Sequence, residues 1–223
     1  MANGTASTKS GGGGGSPTVT NPLAVNGVNP PNNLTQVGEQ GQMNKTQAEA
    51  WIEKNTNIPS KDVESHYQSV NKFTGFSYSD IRKAQKEPAS ATPSMIKAGN
   101  ECENYIKNAP QWNNSAPLYR GVNVDSSVVS KIQVGKPFDV NGGGSASWST
   151  MKSTSEDFTC GKNVPVLFKC AKQTNATPIQ HISKYPDEHE ILTSKSNNYR
   201  VISKQKANIN GKQGYVVEVE QIP

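Results

Sequence analysis

The chain has little cysteine, few aromatic residues and no long apolar run. Three cysteines occur among its 223 residues, and phenylalanine, tryptophan and tyrosine together make up 7%. Cys102, Cys160 and Cys170 match neither a zinc-binding spacing nor a CxxC redox pair, so we expect reduced thiols and no metal site. No run of about 18 apolar residues occurs, which excludes a transmembrane helix. The amino terminus lacks a basic segment followed by an apolar one, so we expect no typical secretory signal peptide.

Charged residues are also few, at 18%, and they form no block of one sign. The net charge of +5 comes from 23 lysines and arginines against 18 acids, and the isoelectric point is near 9.0. Because the excess is scattered, it is weak evidence for a nucleic-acid partner. The mean hydropathy of −0.70 is low, but the charge content is too small for a wholly disordered chain.

Residues 1–42 differ in composition from the rest. They hold nine of the 19 glycines and four prolines, with one lysine (Lys9), one acid (Glu39) and no aromatic residue. Such a segment cannot bury enough apolar surface to offset its chain entropy. We therefore predict a flexible tail over residues 1–42, either a solubilising terminus or a tether or delivery segment, and a folded domain over residues 43–223.

Helical periodicity dominates the first half of this domain. A capping-box spacing at Thr46 and Glu49 predicts the start of one helix, which should end near Pro59. Ser60 is a candidate cap for a second helix, a third is predicted to end near residue 85, and Thr92 with the following proline predicts the start of a fourth.

Short β-branched and aromatic runs replace this pattern after Pro110. Turn residues separate them, which predicts strands at 118–122, 164–168, 199–202 and 215–219, with one short helix at 153–158. Strands at this spacing without intervening helices are typical of an antiparallel or mixed sheet sandwich. The predicted class is α+β.

Arg120 is the first candidate for chemistry, because it interrupts an apolar strand. A cation in such a strand must be paired or must face a cleft, since an unpaired buried charge is costly. Its planar guanidinium suits a diphosphate or a carboxylate. A structural acid as its partner would leave the same pattern.

Two further elements carry polar side chains on one strand face. Strand alternation places Ser145, Ser147 and Ser149 together, where hydroxyls can orient a ligand or a carboxylate, although an ordinary polar strand face would look the same. In a strand, Glu188 and Glu190 would also share a face, with Cα atoms about 6.5 to 7 Å apart. Like charges so close require cations or a substrate, unless both glutamates are simply solvated. His189 would point to the opposite face as a structural residue.

Taken in chain order, these elements resemble the R-S-E signature of the ADP-ribosyltransferase family related to cholera toxin and the arginine-specific clostridial toxins. Residues 67–81 also resemble a helical stretch of that family, and the run from Leu118 to Gly121 resembles its l-Y-R-G strand. The spacing from Ser149 to Phe158 is similar as well. The resemblance covers residues 45–223.

The sequence departs from the family pattern at three places. Trp148 occupies the middle of the usual Ser-Thr-Ser, and Ser145 offers a competing register, so the choice among Ser145, Ser147 and Ser149 stays open. Arg82 stands where the family has an asparagine. The first motif lacks the histidine of the diphtheria-like branch.

The resemblance implies a fold of amino-terminal helices followed by a two-sheet β-sandwich that is split by an NAD-binding cleft. It also implies the transfer of ADP-ribose from NAD to an arginine of a target protein, with release of nicotinamide. By resemblance, Arg120 holds the NAD phosphates, Glu190 binds the ribose 2′-hydroxyl, and Ser147 orients Glu190. Gly121 and Ser149 complete the expected NAD contacts.

On the acceptor side, the resemblance assigns Glu188 to the arginine that is modified. The loop 183–187 would face the target protein, with Tyr185 as its contact residue. Two alternatives remain: an NAD glycohydrolase that modifies nothing, and a non-catalytic structural or nucleic-acid-binding protein with a degenerate transferase fold. We expect a monomer acting in the cytoplasm of a host or target cell, either phage-encoded and carried in the virion or exported as an effector, and we favour the phage origin.

Overall fold

The computed structural model describes residues 42–223, so the predicted tail lies outside the described residues except for its last position. The described residues form six α-helices: α1 Lys45–Asn55, α2 Val63–Phe73, α3 Tyr78–Lys86, α4 Pro93–Asn108, α5 Ser126–Lys131 and α6 Lys152–Asp157. They also form eight strands: β1 Leu118–Val124, β2 Pro137–Phe138, β3 Ala146–Ser149, β4 Val164–Cys170, β5 Ala176–Pro178, β6 Glu190–Thr193, β7 Asn198–Ile209 and β8 Lys212–Ile222.

The cap of the first helix is Asn44, two residues earlier than the predicted cap, Thr46. Asn44 accepts a hydrogen bond from the Gln47 backbone at 2.9 Å, and the Gln47 side chain accepts one from the Asn44 backbone at 3.1 Å. The predicted box of Thr46 and Glu49 is wrong because the same spacing occurs at Asn44, and asparagine is the better cap. The helix also ends at Asn55, before the predicted Pro59.

The other helices follow their sequence signals with one difference. Ser60 starts a short 3₁₀ turn, Ser60–Asp62, and α2 itself begins at Val63. Helix α4 starts after Thr92 with proline in its first turn, as predicted, and ends at Asn108. It packs against both α2 and α3. Their apolar faces join the sheet in one core, with the fully buried side chains Ile52, Val70, Phe73, Ile81 and Tyr105 on the helical side.

All eight strands belong to one hydrogen-bonded sheet, in the order β2-β7-β8-β4-β1-β3-β6-β5. Neighbours are antiparallel except β4 and β8, which run parallel. The predicted α+β class is confirmed. The predicted division into two separate sheets is not, because β1 and β3 stay joined through one pair, Tyr119 with Ser149. Since the ladder between these two strands stops after that pair, a cleft can open beside it.

The cysteines are three free thiols, of which Cys102 and Cys170 are buried and Cys160 is exposed. None of the helices within residues 42–223 is long and apolar enough to cross a membrane.

Candidate active site

A cavity of about 540 Å³ opens beside the junction of β1 and β3. Its walls come from these strands, from the start of β6, from α6 and from the loop between α2 and α3. Such a volume suits a small organic ligand. The cavity lining includes all six residues predicted to bind NAD or act in catalysis: Arg120, Gly121, Ser147, Ser149, Glu188 and Glu190.

Arg120 on β1 is buried and is held by neutral acceptors only. Its guanidinium donates to the Ser147 carbonyl at 2.8 Å, to the Tyr78 hydroxyl at 3.3 Å and to the Val140 carbonyl at 3.4 Å. None of the ion pairs within residues 42–223 involves Arg120. The structural acid that the sequence left open is therefore not its partner there. The guanidinium is oriented by dipoles, and its charge is available to an anion in the cavity.

The positive charge of Arg120 changes the pKa of Tyr78, which lies at the start of α3. Burial opposes ionisation of the phenol, but the nearby positive charges of Arg120 and Arg82 outweigh burial and lower the pKa of Tyr78. The Arg82 guanidinium lies 5.0 Å from the centroid of the Tyr78 ring. The phenol thus links two arginines in one wall of the cavity.

Gly121 follows Arg120 at a point where β1 and α6 touch. A Cβ atom added there would overlap with the carbonyl oxygen of Ser155 in α6. Only glycine permits this approach, which brings Ser155 and Phe158 into the cavity wall. Gly121 therefore both packs against α6 and lines the cavity.

The three predicted serines have three different partners. Ser147 donates its hydroxyl to Glu190 Oε1. Ser149 donates to the Glu188 carbonyl at 2.7 Å, while Ser145 donates to Glu103 Oε1 at 2.6 Å and lies outside the cavity lining. Among the candidates for the motif serine, Ser147 is the one that touches a cavity carboxylate.

Trp148, the departure between these serines, lies mainly in the core. Its ring is 5.6 Å from that of Tyr199, and its indole N–H donates to Asn141 Oδ1 at 3.2 Å. Strand alternation sends the bulky ring to the face opposite Ser147. The tryptophan therefore leaves the contact between Ser147 and Glu190 undisturbed.

Glu190 is the first residue of β6 and is only 3% exposed. Its second oxygen accepts a hydrogen bond from Ser183 at 3.4 Å. Burial raises the pKa of Glu190 to about 7, although hydrogen bonds from Ser147 and Ser183 and the charge of Arg120 act in the opposite direction. The negative charge of Glu188 adds to the increase. A carboxyl group with such a pKa changes its charge near neutral pH.

Glu188 reaches the cavity by a route that the sequence did not predict. It ends a 3₁₀ turn, Pro186–Glu188, and His189 has a left-handed backbone with φ of 49°. The prediction that Glu188 and Glu190 share one face of a strand is wrong, because the strand begins only at Glu190. Both carboxylates nevertheless line the cavity. Burial raises the pKa of Glu188 as well.

Two polar residues of the site were missed as functional candidates. Arg82 lines the cavity, and its position four residues after Tyr78 on α3 could have revealed a shared helix face. Ser183 bonds Glu190 from a separate turn, and no local signal points to that contact.

Three aromatic side chains surround the cavity mouth although they are exposed. Phe76 is 95% exposed, Phe158 is 56% exposed, and Tyr185 is 46% exposed. The loops that carry Phe76 and Tyr185 are joined, because the Lys184 backbone donates to the Thr74 hydroxyl at 3.0 Å. Clustered exposed aromatic residues next to a cavity are typical of a contact surface.

Comparison with protein-family models gave no match, and comparison with curated protein sequences gave none either. Solved structures of ADP-ribosyltransferases and related toxins do match the fold.

Three of these structures come from different bacteria. Exoenzyme S from Pseudomonas aeruginosa, solved with human 14-3-3 protein beta and carba-NAD, matches at 15% identity over 71% of this chain and 74% of its own, with a TM-score of 0.56. The ADP-ribosyltransferase Vis from Vibrio splendidus, solved with agmatine, matches at 15% identity over 86% of both chains, with a TM-score of 0.61. The toxin Plx2a from Paenibacillus larvae matches at 21% identity over 82% of this chain and 98% of its own, with a TM-score of 0.57.

At these identities the comparison establishes the fold, which is that of the mono-ADP-ribosyltransferases. The ADP-ribosyltransferase fold expected from the sequence resemblance is thereby confirmed, although its strands form one sheet and not the two that the resemblance implied.

Proposed function

We propose that the protein transfers ADP-ribose from NAD to an arginine side chain of a target protein and releases nicotinamide. One observation carries the proposal: a buried carboxylate, Glu190, is held by Ser147 in a cavity that also contains the guanidinium of Arg120, which forms no ion pair within residues 42–223. This combination offers a negative group for a developing cation and a positive group for a diphosphate.

On the NAD side, Arg120 binds the diphosphate. Its donors are arranged as a fork, which suits phosphate oxygens. Exoenzyme S, whose fold is similar, was solved with carba-NAD, which supports NAD as the ligand of this cavity. Gly121 and Ser149 line the same wall and complete the contacts.

Glu190 acts on the ribose. When the bond between nicotinamide and ribose breaks, its electron pair leaves with the neutral nicotinamide, and positive charge develops on the sugar as in glycoside cleavage. The Glu190 carboxylate stabilises that charge and accepts a hydrogen bond from the ribose 2′-hydroxyl. Ser147 keeps the carboxylate oriented.

Glu188 acts on the acceptor. An arginine nitrogen forms the new bond to the ribose carbon and then loses a proton, which a carboxylate can accept. A guanidinium hardly loses a proton in water, so help from Glu188 at the cavity is chemically needed. Vis, which has a similar fold, was solved with agmatine, and agmatine carries a guanidinium group. Tyr185 and Phe76 at the mouth contact the target protein.

Labelled NAD, a cell lysate and matched variants test the proposal. Glu190→Ala should abolish transfer of label to protein, because the charge that stabilises the transition state is lost. Glu188→Gln should abolish transfer to arginine while some NAD hydrolysis persists. Glu53→Gln is the matched control: it removes an exposed acid on α1, outside both the cavity lining and the loop 183–187, and both activities should remain.

Other outcomes favour the alternatives. Equal loss of transfer and hydrolysis in Glu188→Gln would contradict the acceptor role of Glu188. Hydrolysis of NAD without labelling of any protein would indicate an NAD glycohydrolase. Failure of the wild-type protein to bind NAD would favour the non-catalytic alternative.

A further inference from the structure

Arg82 on α3 is a second arginine in the wall of the cavity. Its Nε donates to the Ser145 carbonyl at 3.0 Å, and its Nη2 donates to the Asn141 carbonyl. The ion pairs found in the part of the chain that the structure describes do not involve Arg82. Like Arg120, it is held by neutral oxygens rather than by an acid.

The two arginines share Tyr78. Arg82 lies over the ring, 5.0 Å from its centroid, while Arg120 donates to the hydroxyl at 3.3 Å. Two positive charges so close in a partly buried cavity repel each other. Burial first, and then the charge of Arg120, lower the pKa of Arg82, while Tyr78 and Asp139 act in the opposite direction. An anion in the cavity would relieve this repulsion.

The hydrogen bonds of Arg82 leave a donor for such an anion. An arginine side chain has five N–H donors. The bonds from Arg82 to the Ser145 and Asn141 carbonyls and its bond with Tyr78 use three of them, so donors remain. A diphosphate carries two adjacent negative charges and therefore matches two arginines better than one.

We propose that Arg82 and Arg120 bind the diphosphate of NAD together, so that Arg82 makes the cavity selective for a dinucleotide. The proposal rests on the proposed function, since it assigns a further binding residue to the same site. A charge-assisted hydrogen bond from Arg82 to a phosphate oxygen requires a ligand that carries phosphate, so it strengthens binding of NAD and not of nicotinamide riboside.

Calorimetry with four proteins and three ligands tests this assignment. The proteins are the wild type, Arg82→Gln, Arg82→Lys and the control Lys86→Gln, which removes an exposed cation one turn further along α3 and outside the cavity lining. The ligands are NAD, inorganic pyrophosphate and nicotinamide riboside, which lacks the diphosphate.

Arg82→Gln should weaken binding of NAD and pyrophosphate about ten- to a hundredfold, as expected for loss of one charge-assisted bond. It should leave nicotinamide riboside within about twofold of the wild type. Arg82→Lys should retain most of the affinity for NAD and pyrophosphate, because it keeps the positive charge. It loses the paired hydrogen bonds to the two carbonyls, which accounts for a small decrease. Lys86→Gln should change none of the three affinities.

Two results would overturn the assignment. Unchanged NAD affinity in Arg82→Gln would show that the residue does not bind the diphosphate. A structural role only would follow from three results together. Arg82→Gln would bind NAD and nicotinamide riboside equally more weakly than the wild type, Arg82→Lys would lose as much affinity as Arg82→Gln, and both variants would have a lower thermal midpoint. If the wild-type protein binds pyrophosphate but not NAD, the two-arginine site stands and the proposed function is overturned. If it binds neither ligand, the site and the proposed function are both overturned.

Discussion

At the level of single residues, the protonation state of Glu190 determines whether the cavity contains a negative charge next to Ser147. The carboxyl group is neutral in the folded protein well below pH 7 and ionised above it, because burial raises its pKa to about 7. Only the ionised form stabilises a positively charged transition state. The hydrogen bond from Ser147 favours that form and so lowers the pKa from what burial alone would produce.

The first residue-scale prediction concerns the pH dependence of activity. We expect kcat/KM for NAD to rise with pH through about 7, since this quantity reports the free enzyme. Ser147→Ala should move the midpoint to higher pH, because a bond to the carboxylate is lost. Ser149→Ala should leave the midpoint in place, since Ser149 bonds the Glu188 carbonyl. A downward shift in Ser147→Ala would contradict this account.

The second residue-scale prediction concerns stability. A carboxyl group whose pKa is higher in the folded than in the unfolded state makes the protein less stable as pH rises between the two values. The stability of Glu190→Gln relative to the wild type should therefore increase between pH 5 and pH 8, by about 2–3 kcal/mol. Denaturant unfolding at the two pH values measures the difference. Equal stabilisation at both would point to packing instead of charge.

At the level of elements, contact between α6 and β1 shapes the cavity. Gly121 allows the Ser155 carbonyl to approach the strand. Gly121→Ala should destabilise the fold by about 1–3 kcal/mol through overpacking and should also weaken NAD binding, because α6 must move away. Chemical denaturation and calorimetry measure the two effects. Wild-type stability together with wild-type NAD affinity would show that the contact is not tight.

The joined loops at the cavity mouth give a second element-scale prediction. Phe76→Ser should leave stability within about 0.5 kcal/mol and NAD hydrolysis unchanged, because the side chain is 95% exposed. Labelling of target protein should decrease several-fold. The matched control is Val134→Ser, at a residue 60% exposed and outside the cavity lining, which should label like the wild type. Equal labelling by both variants would remove Phe76 from the target contact.

At the scale of the whole molecule, residues 42–223 supply the core and the cavity that the structure describes. A fragment of these residues should therefore melt within about 2 °C of the full chain and bind NAD with equal affinity. Thermal unfolding and calorimetry of both proteins make the comparison. A large loss in the fragment would show that residues 1–41 belong to the folded domain, contrary to the predicted tail.

Local signals predicted the elements whose formation depends on neighbouring residues. Thr92 with its following proline located the start of α4, and a short β-branched and aromatic run located β1. The same kind of signal failed at α1, where two capping spacings overlap and the stronger cap, Asn44, determines the boundary. It failed again at Glu188, where a 3₁₀ turn and a left-handed residue replace the expected strand.

The order of Arg120, the serines and the glutamates was determined by the sequence alone, and so was the fold that this order implies. Tertiary structure alone decided that Ser147 donates to Glu190 and that Ser145 donates to Glu103 on α4. It also brought Arg82 to the cavity and kept the strands in one sheet. The physical reason is that local spacing sets each residue's face, whereas the partner of a side chain depends on which distant element packs against that face.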